Sequence, residues 1–217
     1  VAVVSSNAGQ ALWGAIAHPD HARRVVDRLM AEDMFSGWGI RTLSSGARAY
    51  NPMSYHLGSV WPHDNALILA GFLRYGHADA ACRIFDAVFD AAASFRNYRL
   101  PELYCGYARK ESPEQPIPYP VACSPQAWAA GALPHALWNL LGLRPDAPAH
   151  RLAIVRPRLP AWLEWLEIED VRVGDARATL RFERSGPDST LRVVASVHEG
   201  TLAVEQSEEL VVSEALW

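Results

Sequence analysis

Residues 55–76, YHLGSVWPHDNALILAGFLRYG, organise the first part of the chain. The second half of this segment predicts a helix, because apolar residues recur there at helical spacing and Gly76 can end the last turn. Pro62 suits a first helical turn, and Ser59 is a candidate N-cap. The first half gathers aromatic, imidazole and carboxylate groups, so the segment predicts a helix whose N-terminus carries a polar and aromatic cluster.

Helical periodicity extends from residue 1 to about residue 145. Long loops rich in Trp, Tyr, Gly and Pro interrupt it, and one of them has the pattern of a short strand at residues 39–43. Loops of this length in a compact domain are usually functional or disordered, and their composition favours function. Four further helices are predicted to start at Ser6 or Asn7, at Pro19, near Ala78 and at Ser124, with a kink at Pro134 in the last. Their predicted buried faces include Leu12, Ile16, Val26 and Phe89.

From residue 151 the pattern changes to alternating apolar and polar residues with many β-branched side chains. Five short segments read as antiparallel strands separated by turn residues such as Gly174 and Gly200. The sequence therefore predicts a mainly α protein with a small C-terminal antiparallel β segment. The predicted domains are residues 1–148 and a β-rich appendage of residues 149–217.

Composition excludes several classes of function. The 217 residues are 50% hydrophobic and carry a formal net charge of -4, which gives no basic surface for nucleic acid. No stretch approaches the roughly 20 apolar residues of a membrane span. Three cysteines without metal-ligand spacing favour free thiols in a reducing compartment. We expect a cytoplasmic protein that binds neither nucleic acid nor membrane.

Polar and aromatic side chains recur at three boundaries between a loop and a helix. Trp61, His63 and Asp64 lie at the first, Glu102 lies among tyrosines in the second loop, and Gln126 and Trp128 lie at the third. Taken singly, each boundary is better explained by caps, core packing or an ion pair of Glu102 with an arginine. Flat rings stack on sugar C–H faces while carboxylates and imidazoles bond hydroxyl groups, so the recurrence favours a carbohydrate pocket.

Five segments together resemble the C-terminal part of bacterial amylo-α-1,6-glucosidase or glycogen-debranching-like proteins. That family is related to inverting glycoside hydrolases built on an (α/α)6 barrel. The resembling segments are SSNAGQALW (5–13), FSGWGIRTLS (35–44), YNPMSYHLGSVWPHDNA (50–66), RLPELYCGYAR (99–109) and PYPVACSPQAWAAG (118–131).

The resemblance implies a partial (α/α)6 barrel of helix pairs that hydrolyses an α-glucosidic bond of an oligo- or polysaccharide with inversion. One carboxylic acid then protonates the leaving oxygen while a carboxylate deprotonates water. Glu102 matches the general base, and Asp64 is the rival catalytic carboxylate. No cofactor and no metal are implied. Candidate substrate-binding residues are Trp38, Arg41, Tyr55, His56, Trp61, His63, Gln126 and Trp128.

The chain departs from the family at the general acid, which belongs to a Gly-Trp-Lys-Asp-Ser type motif that this sequence lacks. We therefore expect the later half of a barrel, whose missing N-terminal half is its partner, and no hydrolysis of glycosides by this chain alone. A sugar-binding module without chemistry is one alternative. An epimerase, phosphorylase or lyase on the same barrel is another, with His56 and His63 as acid and base. A metal site at His56, His63 and Asp64 is disfavoured, because the spacing matches no zinc motif.

Overall fold

The computed structural model describes residues 3–185 and 190–208. The chain divides into two compact units, one extending to Leu137 and the other beginning at Trp138. The domain bounds inferred from the sequence, 1–148 and 149–217, stay a prediction. Within the described ranges, every helix is too short or too polar to cross a lipid bilayer.

Five α-helices lie within the described residues. The third begins at Pro62, as the sequence predicted, but its N-cap position is Trp61 and not Ser59. The Ser59 hydroxyl instead donates to the carbonyl oxygen of Tyr55, 2.7 Å away. The helices are α1 (Asn7–Trp13), α2 (Pro19–Leu29), α3 (Pro62–Arg74), α4 (Ala78–Ser94) and α5 (Ala127–Leu140).

Helices α1 and α3 pack against each other through two glycines. A Cβ atom on Gly9 would lie 2.6 Å from Cγ1 of Ile68, and one on Gly71 would lie 2.6 Å from the backbone nitrogen of Trp13. Both distances are far below van der Waals contact, so only glycine allows this approach. Leu12 is buried as predicted. Ile16 lies beyond the end of α1 and is 81% exposed, so its predicted burial is wrong.

The long loops of the first unit are joined by isolated backbone bridges. Arg41 pairs with Val60, Val60 with Tyr104 and Tyr104 with Pro118, all antiparallel. The predicted strand at residues 39–43 is therefore replaced by single bridges to distant segments. Asn65 reinforces this arrangement because its buried amide accepts from the Ile40 N–H at 2.7 Å and donates to the Ile40 carbonyl at 3.1 Å.

The second unit contains two three-stranded sheets, with strand orders β1-β2-β6 and β3-β4-β5. Strands β1 and β2 pair antiparallel, whereas β2 and β6 pair parallel, with Leu152 opposite Val204. The sequence prediction of a wholly antiparallel segment is wrong at that pair. The strands are β1 (Leu143–Asp146), β2 (Arg151–Val155), β3 (Trp165–Val173), β4 (Ala176–Ser185), β5 (Thr190–Glu199) and β6 (Ala203–Ser207).

The prediction of a mainly α fold, a partial (α/α)6 barrel with a small β segment, is wrong. Six strands in two sheets accompany the five helices of the described chain, and the strands form a core of their own. Leu152, Ile154, Leu180 and Phe182 are fully buried in this unit. The prediction failed because much of the first unit consists of loops. In addition, residues 143–146 form a strand that the sequence pattern did not indicate.

Gly71→Ala is expected to lower the free energy of unfolding by about 1–3 kcal/mol, because the new methyl group would overlap the Trp13 backbone. Gly131→Ala is the matched control. Gly131 also lies inside a helix, but nothing stands within 4 Å of its added Cβ. There the substitution should be neutral or stabilise by up to about 1 kcal/mol through helix propensity. Urea unfolding followed by circular dichroism measures both, and equal stabilities would contradict the packing described.

Candidate functional site

A cavity of about 360 Å³ lies beside the N-termini of α1 and α3 in the first unit. This volume falls within the roughly 300–1,000 Å³ of typical small-molecule sites. Hydroxyl, amide, imidazole and carboxylate groups stand beside three aromatic side chains around it. The lining residues are Ser6, Asn7, Thr42, Tyr55, His56, Trp61, His63, Asp64 and Trp128.

Trp61 is the centre of the aromatic wall. The His56 ring stacks on it with centroids 5.3 Å apart and an interplanar angle of 12°. Tyr55 meets it edge-on at 4.8 Å, and Trp128 does so at 6.1 Å. His63 stacks on Trp128 at 4.6 Å. Trp61 is buried while Trp128 is 50% exposed, so the wall extends from the core to the surface.

The start of α3 places three of these groups. Trp61 occupies the N-cap position, Pro62 begins the helix, and His63 and Asp64 follow in the first turn. The Trp61 indole N–H donates to the Tyr55 carbonyl at 3.0 Å, which fixes the ring against the preceding loop. Free backbone N–H groups at a helix N-terminus favour acceptors and negative charge, so Asp64 is well placed there.

Asp64 receives a hydrogen bond from the side-chain amide of Gln10 on α1. This contact joins the first turns of two helices at the cavity. Gln10 was missed from the sequence, as were the lining residues Ser6, Asn7 and Thr42. All four lie within segments 5–13 and 35–44. These segments resemble the glycosidase family, and that resemblance could have identified the four residues.

Glu102 lies behind Tyr55 and is only 6% exposed. The Tyr55 hydroxyl donates to its Oε1 at 2.8 Å, and the Cys123 N–H donates to its Oε2 at 3.4 Å. An ion pair with Arg109 is not formed, since Arg109 pairs with Asp90 at 2.7 Å. The hydrogen bond to Glu102, with burial and the charge of the carboxylate, raises the pKa of Tyr55 to about 12. Glu102 is not among the described residues that line the cavity, so Tyr55 stands between them.

The surroundings of His63 favour its neutral imidazole. Burial lowers the pKa of its imidazole, while the charges of Asp64 and Glu102 oppose this shift. Its Nδ1 atom is buried and has no hydrogen-bond partner within the described chain. His63 and His56 both contact Trp61, from different directions, and both line the cavity.

Three predicted substrate-binding residues do not line the cavity. Trp38 is buried, its indole N–H donates to the Ser112 carbonyl at 3.1 Å, and the Arg109 guanidinium covers its ring. Arg41 is also buried, and its Nε donates to the Gly106 carbonyl at 2.6 Å. The side chain of Gln126 accepts from the N–H of the next residue. The cavity therefore gathers Tyr55, His56, Trp61, His63, Asp64 and Trp128, with Glu102 one hydrogen bond behind.

No metal centre is formed by the described residues, in which no group of three or more His, Cys, Asp or Glu side chains is placed to hold an ion. His56, His63 and Asp64 do line one cavity, but they do not converge as a ligand set.

Comparison with known proteins gives a family match that lies within the first unit. Residues 2–107 match the family model of the mannosylglycerate hydrolase MGH1-like glycoside hydrolase domain. The match supports a glycoside hydrolase domain here, though not the narrower amylo-α-1,6-glucosidase assignment. No curated protein sequence matches the chain.

One similar solved structure is that of an uncharacterized conserved protein from Thermus thermophilus. It is 22% identical over 61% of this chain, with a TM-score of 0.45. The match covers 30% of that chain, so this sequence corresponds to less than a third of its length.

Glu102→Gln is expected to lower the pKa of Tyr55 from about 12 toward the ordinary tyrosine value of about 10, because the substitution weakens the hydrogen bond that holds the phenol proton and removes the negative charge that opposes phenolate formation. Tyrosine-selective carbon-13 NMR across alkaline pH measures the shift, with Tyr55→Phe identifying the resonance. Asp64→Asn, at the same cavity, should leave the Tyr55 titration unchanged. An unchanged pKa in Glu102→Gln would show that the two groups are not coupled.

Proposed function

We propose that the cavity is the sugar-binding part of an inverting glycosidase active site in which Glu102 is the general base. The substrate is the α-glucosidic bond of an oligo- or polysaccharide, as in glycogen debranching. The single observation that carries this proposal is the placement of a buried carboxylate one hydrogen bond behind an aromatic and polar cavity. The glycoside hydrolase match over residues 2–107 supports it.

Sugar binding would use both kinds of group around the cavity. The half-exposed ring of Trp128 offers flat apolar surface for the C–H face of a sugar ring. Thr42, Asn7 and Asp64 offer donors and acceptors for its hydroxyl groups. Because a binding site built from hydrogen bonds rejects ligands that leave its polar groups unpaired, these residues would select a polyhydroxylated ligand.

Glu102 has the surroundings of a base. Both of its oxygens accept hydrogen bonds, Oε1 from the Tyr55 hydroxyl and Oε2 from the Cys123 N–H. Inversion requires a second carboxyl group, roughly 6.5–9.5 Å from the base, to protonate the leaving oxygen. We assign that general acid to the missing N-terminal part expected from the sequence, which we propose as the partner of this chain. Asp64 remains the rival catalytic carboxylate.

The test uses α-D-glucosyl fluoride with the 217-residue chain. Fluoride leaves without protonation, so a site with a base and no acid can hydrolyse this compound although it cannot hydrolyse maltose. We expect release of fluoride, measured with an ion-selective electrode, and β-glucose as the first product by proton NMR. Glu102→Gln should reduce the rate by about 100-fold or more, since general bases contribute about 10²–10⁴-fold. Glu114→Gln, at an exposed position, is the matched control.

Three outcomes would contradict this assignment. Equal rates in wild type and Glu102→Gln would remove Glu102 from the chemistry. Loss of turnover in Asp64→Asn alone would transfer the base role to Asp64. Release of α-glucose would exclude inversion.

A sugar-binding module without catalysis is the second candidate, because Tyr55 covers Glu102 from the cavity. In that case calorimetric titration with glucose and maltose should show binding while no fluoride is released. Trp128→Ala should then weaken binding, since aromatic stacking contributes about 0.5–1.5 kcal/mol beyond the buried area.

A further inference from the structure

The backbone on both sides of Glu102 is held in place by hydrogen bonds. Its backbone N–H donates to the Cys123 carbonyl at 2.9 Å, and two residues later Tyr104 exchanges a pair of hydrogen bonds with Val60. Its neighbours Pro101 and Leu103 are buried. A water molecule in the cavity therefore meets Tyr55 before it meets Glu102.

Tyr55 is also fixed, although it is 38% exposed. Its carbonyl oxygen accepts from the Ser59 hydroxyl and the Trp61 indole, at 2.7 and 3.0 Å. Its ring packs against Trp61, His56 and Tyr119 at centroid distances of 4.8, 4.5 and 5.9 Å. A side chain held on both its backbone and its ring is poorly suited to swing aside as a lid. It is well suited to hold one hydroxyl group at a constant position between the cavity and the carboxylate.

We propose that Tyr55 is a catalytic residue that relays a proton from a water molecule in the cavity to Glu102. This inference rests on the proposed function. The water donates to the Tyr55 oxygen while the Tyr55 hydroxyl donates to Oε1 of Glu102, as it already does in this structure.

As the water oxygen attacks the anomeric carbon, one water O–H bond breaks and a new O–H bond forms on Tyr55. The original Tyr55 proton moves to Glu102, and the bond from the anomeric carbon to the leaving group breaks. With glucosyl fluoride the leaving group departs as fluoride, and with a glycoside its oxygen takes a proton from a carboxylic acid outside this pair. Tyr55 is neutral before and after the transfer, and Glu102 returns its proton to solvent.

The alternative is that Tyr55 acts as the base itself, as a phenolate. The adjacent carboxylate opposes this, because it raises the pKa of Tyr55 to about 12 and leaves almost no phenolate near neutral pH. The hydroxyl group can therefore accept a proton only while it gives one up. This requirement makes the two transfers concerted.

The experiment compares wild type, Tyr55→Phe and Tyr98→Phe on α-D-glucosyl fluoride in mixtures of H2O and D2O. Tyr98 is the control because it is highly exposed and does not line the cavity. If two protons move together, the wild-type kcat should fall along a curve as the deuterium fraction rises. Tyr55→Phe should lose about 100-fold in kcat with little change in KM, and Tyr98→Phe should match wild type.

The outcomes separate the relay from the proposed function. No fluoride release by wild type would overturn both. Turnover by wild type that Glu102→Gln abolishes but Tyr55→Phe leaves within about twofold would overturn the relay alone. A linear dependence of wild-type kcat on deuterium fraction would also overturn the relay, whether or not Tyr55→Phe folds.

Discussion

The pair of backbone hydrogen bonds between Val60 and Tyr104, 2.9 and 3.0 Å long, holds the first unit's site together. It joins the segment that starts α3 to the loop that carries Glu102, more than 40 residues apart in the chain. Neither segment is a regular strand, so few other backbone bonds fix their relative position. The pairing of Val60 with Tyr104 brings Tyr55 within hydrogen-bond distance of Glu102. On the side of α3, the buried Asn65 amide donates to the carbonyls of Ile40 and Trp61 and holds the same region.

The two carboxylates of the site accept hydrogen bonds from neutral donors. Glu102 is buried against a phenol and a backbone amide, and Asp64 is bonded to the Gln10 amide. A neutral donor stabilises a carboxylate without cancelling its charge, whereas an arginine would form a closed ion pair. The buried Arg41 lies in the same unit, but its guanidinium donates to the backbone carbonyls of Gly106 and Glu32.

Local patterns predicted what depends on neighbouring residues. Pro62 marked the start of a helix, and the cluster around Trp61 was visible because its members are close in sequence. Trp38 and Arg41 also looked like cavity residues in the sequence. Their hydrogen-bond partners, the carbonyls of Ser112 and Gly106, lie 74 and 65 residues away. Whether such a side chain faces a cavity or the core is decided by tertiary contacts. The relation of Tyr55 to Glu102, 47 residues apart, was hidden for the same reason.

The parallel pairing of β2 with β6 affects the order in which the second unit can fold during synthesis. Strands β1 and β2 are complete by residue 155, but their third strand comes only at residues 203–207, after the other sheet has been traversed. During synthesis on the ribosome, about 50 more residues must be made after β2 before β6 can pair with it. Pairing between strands so far apart in sequence is slow. Until then that edge is open to pairing with other nascent chains, so folding of this unit should be the step most sensitive to translation rate and to chaperones.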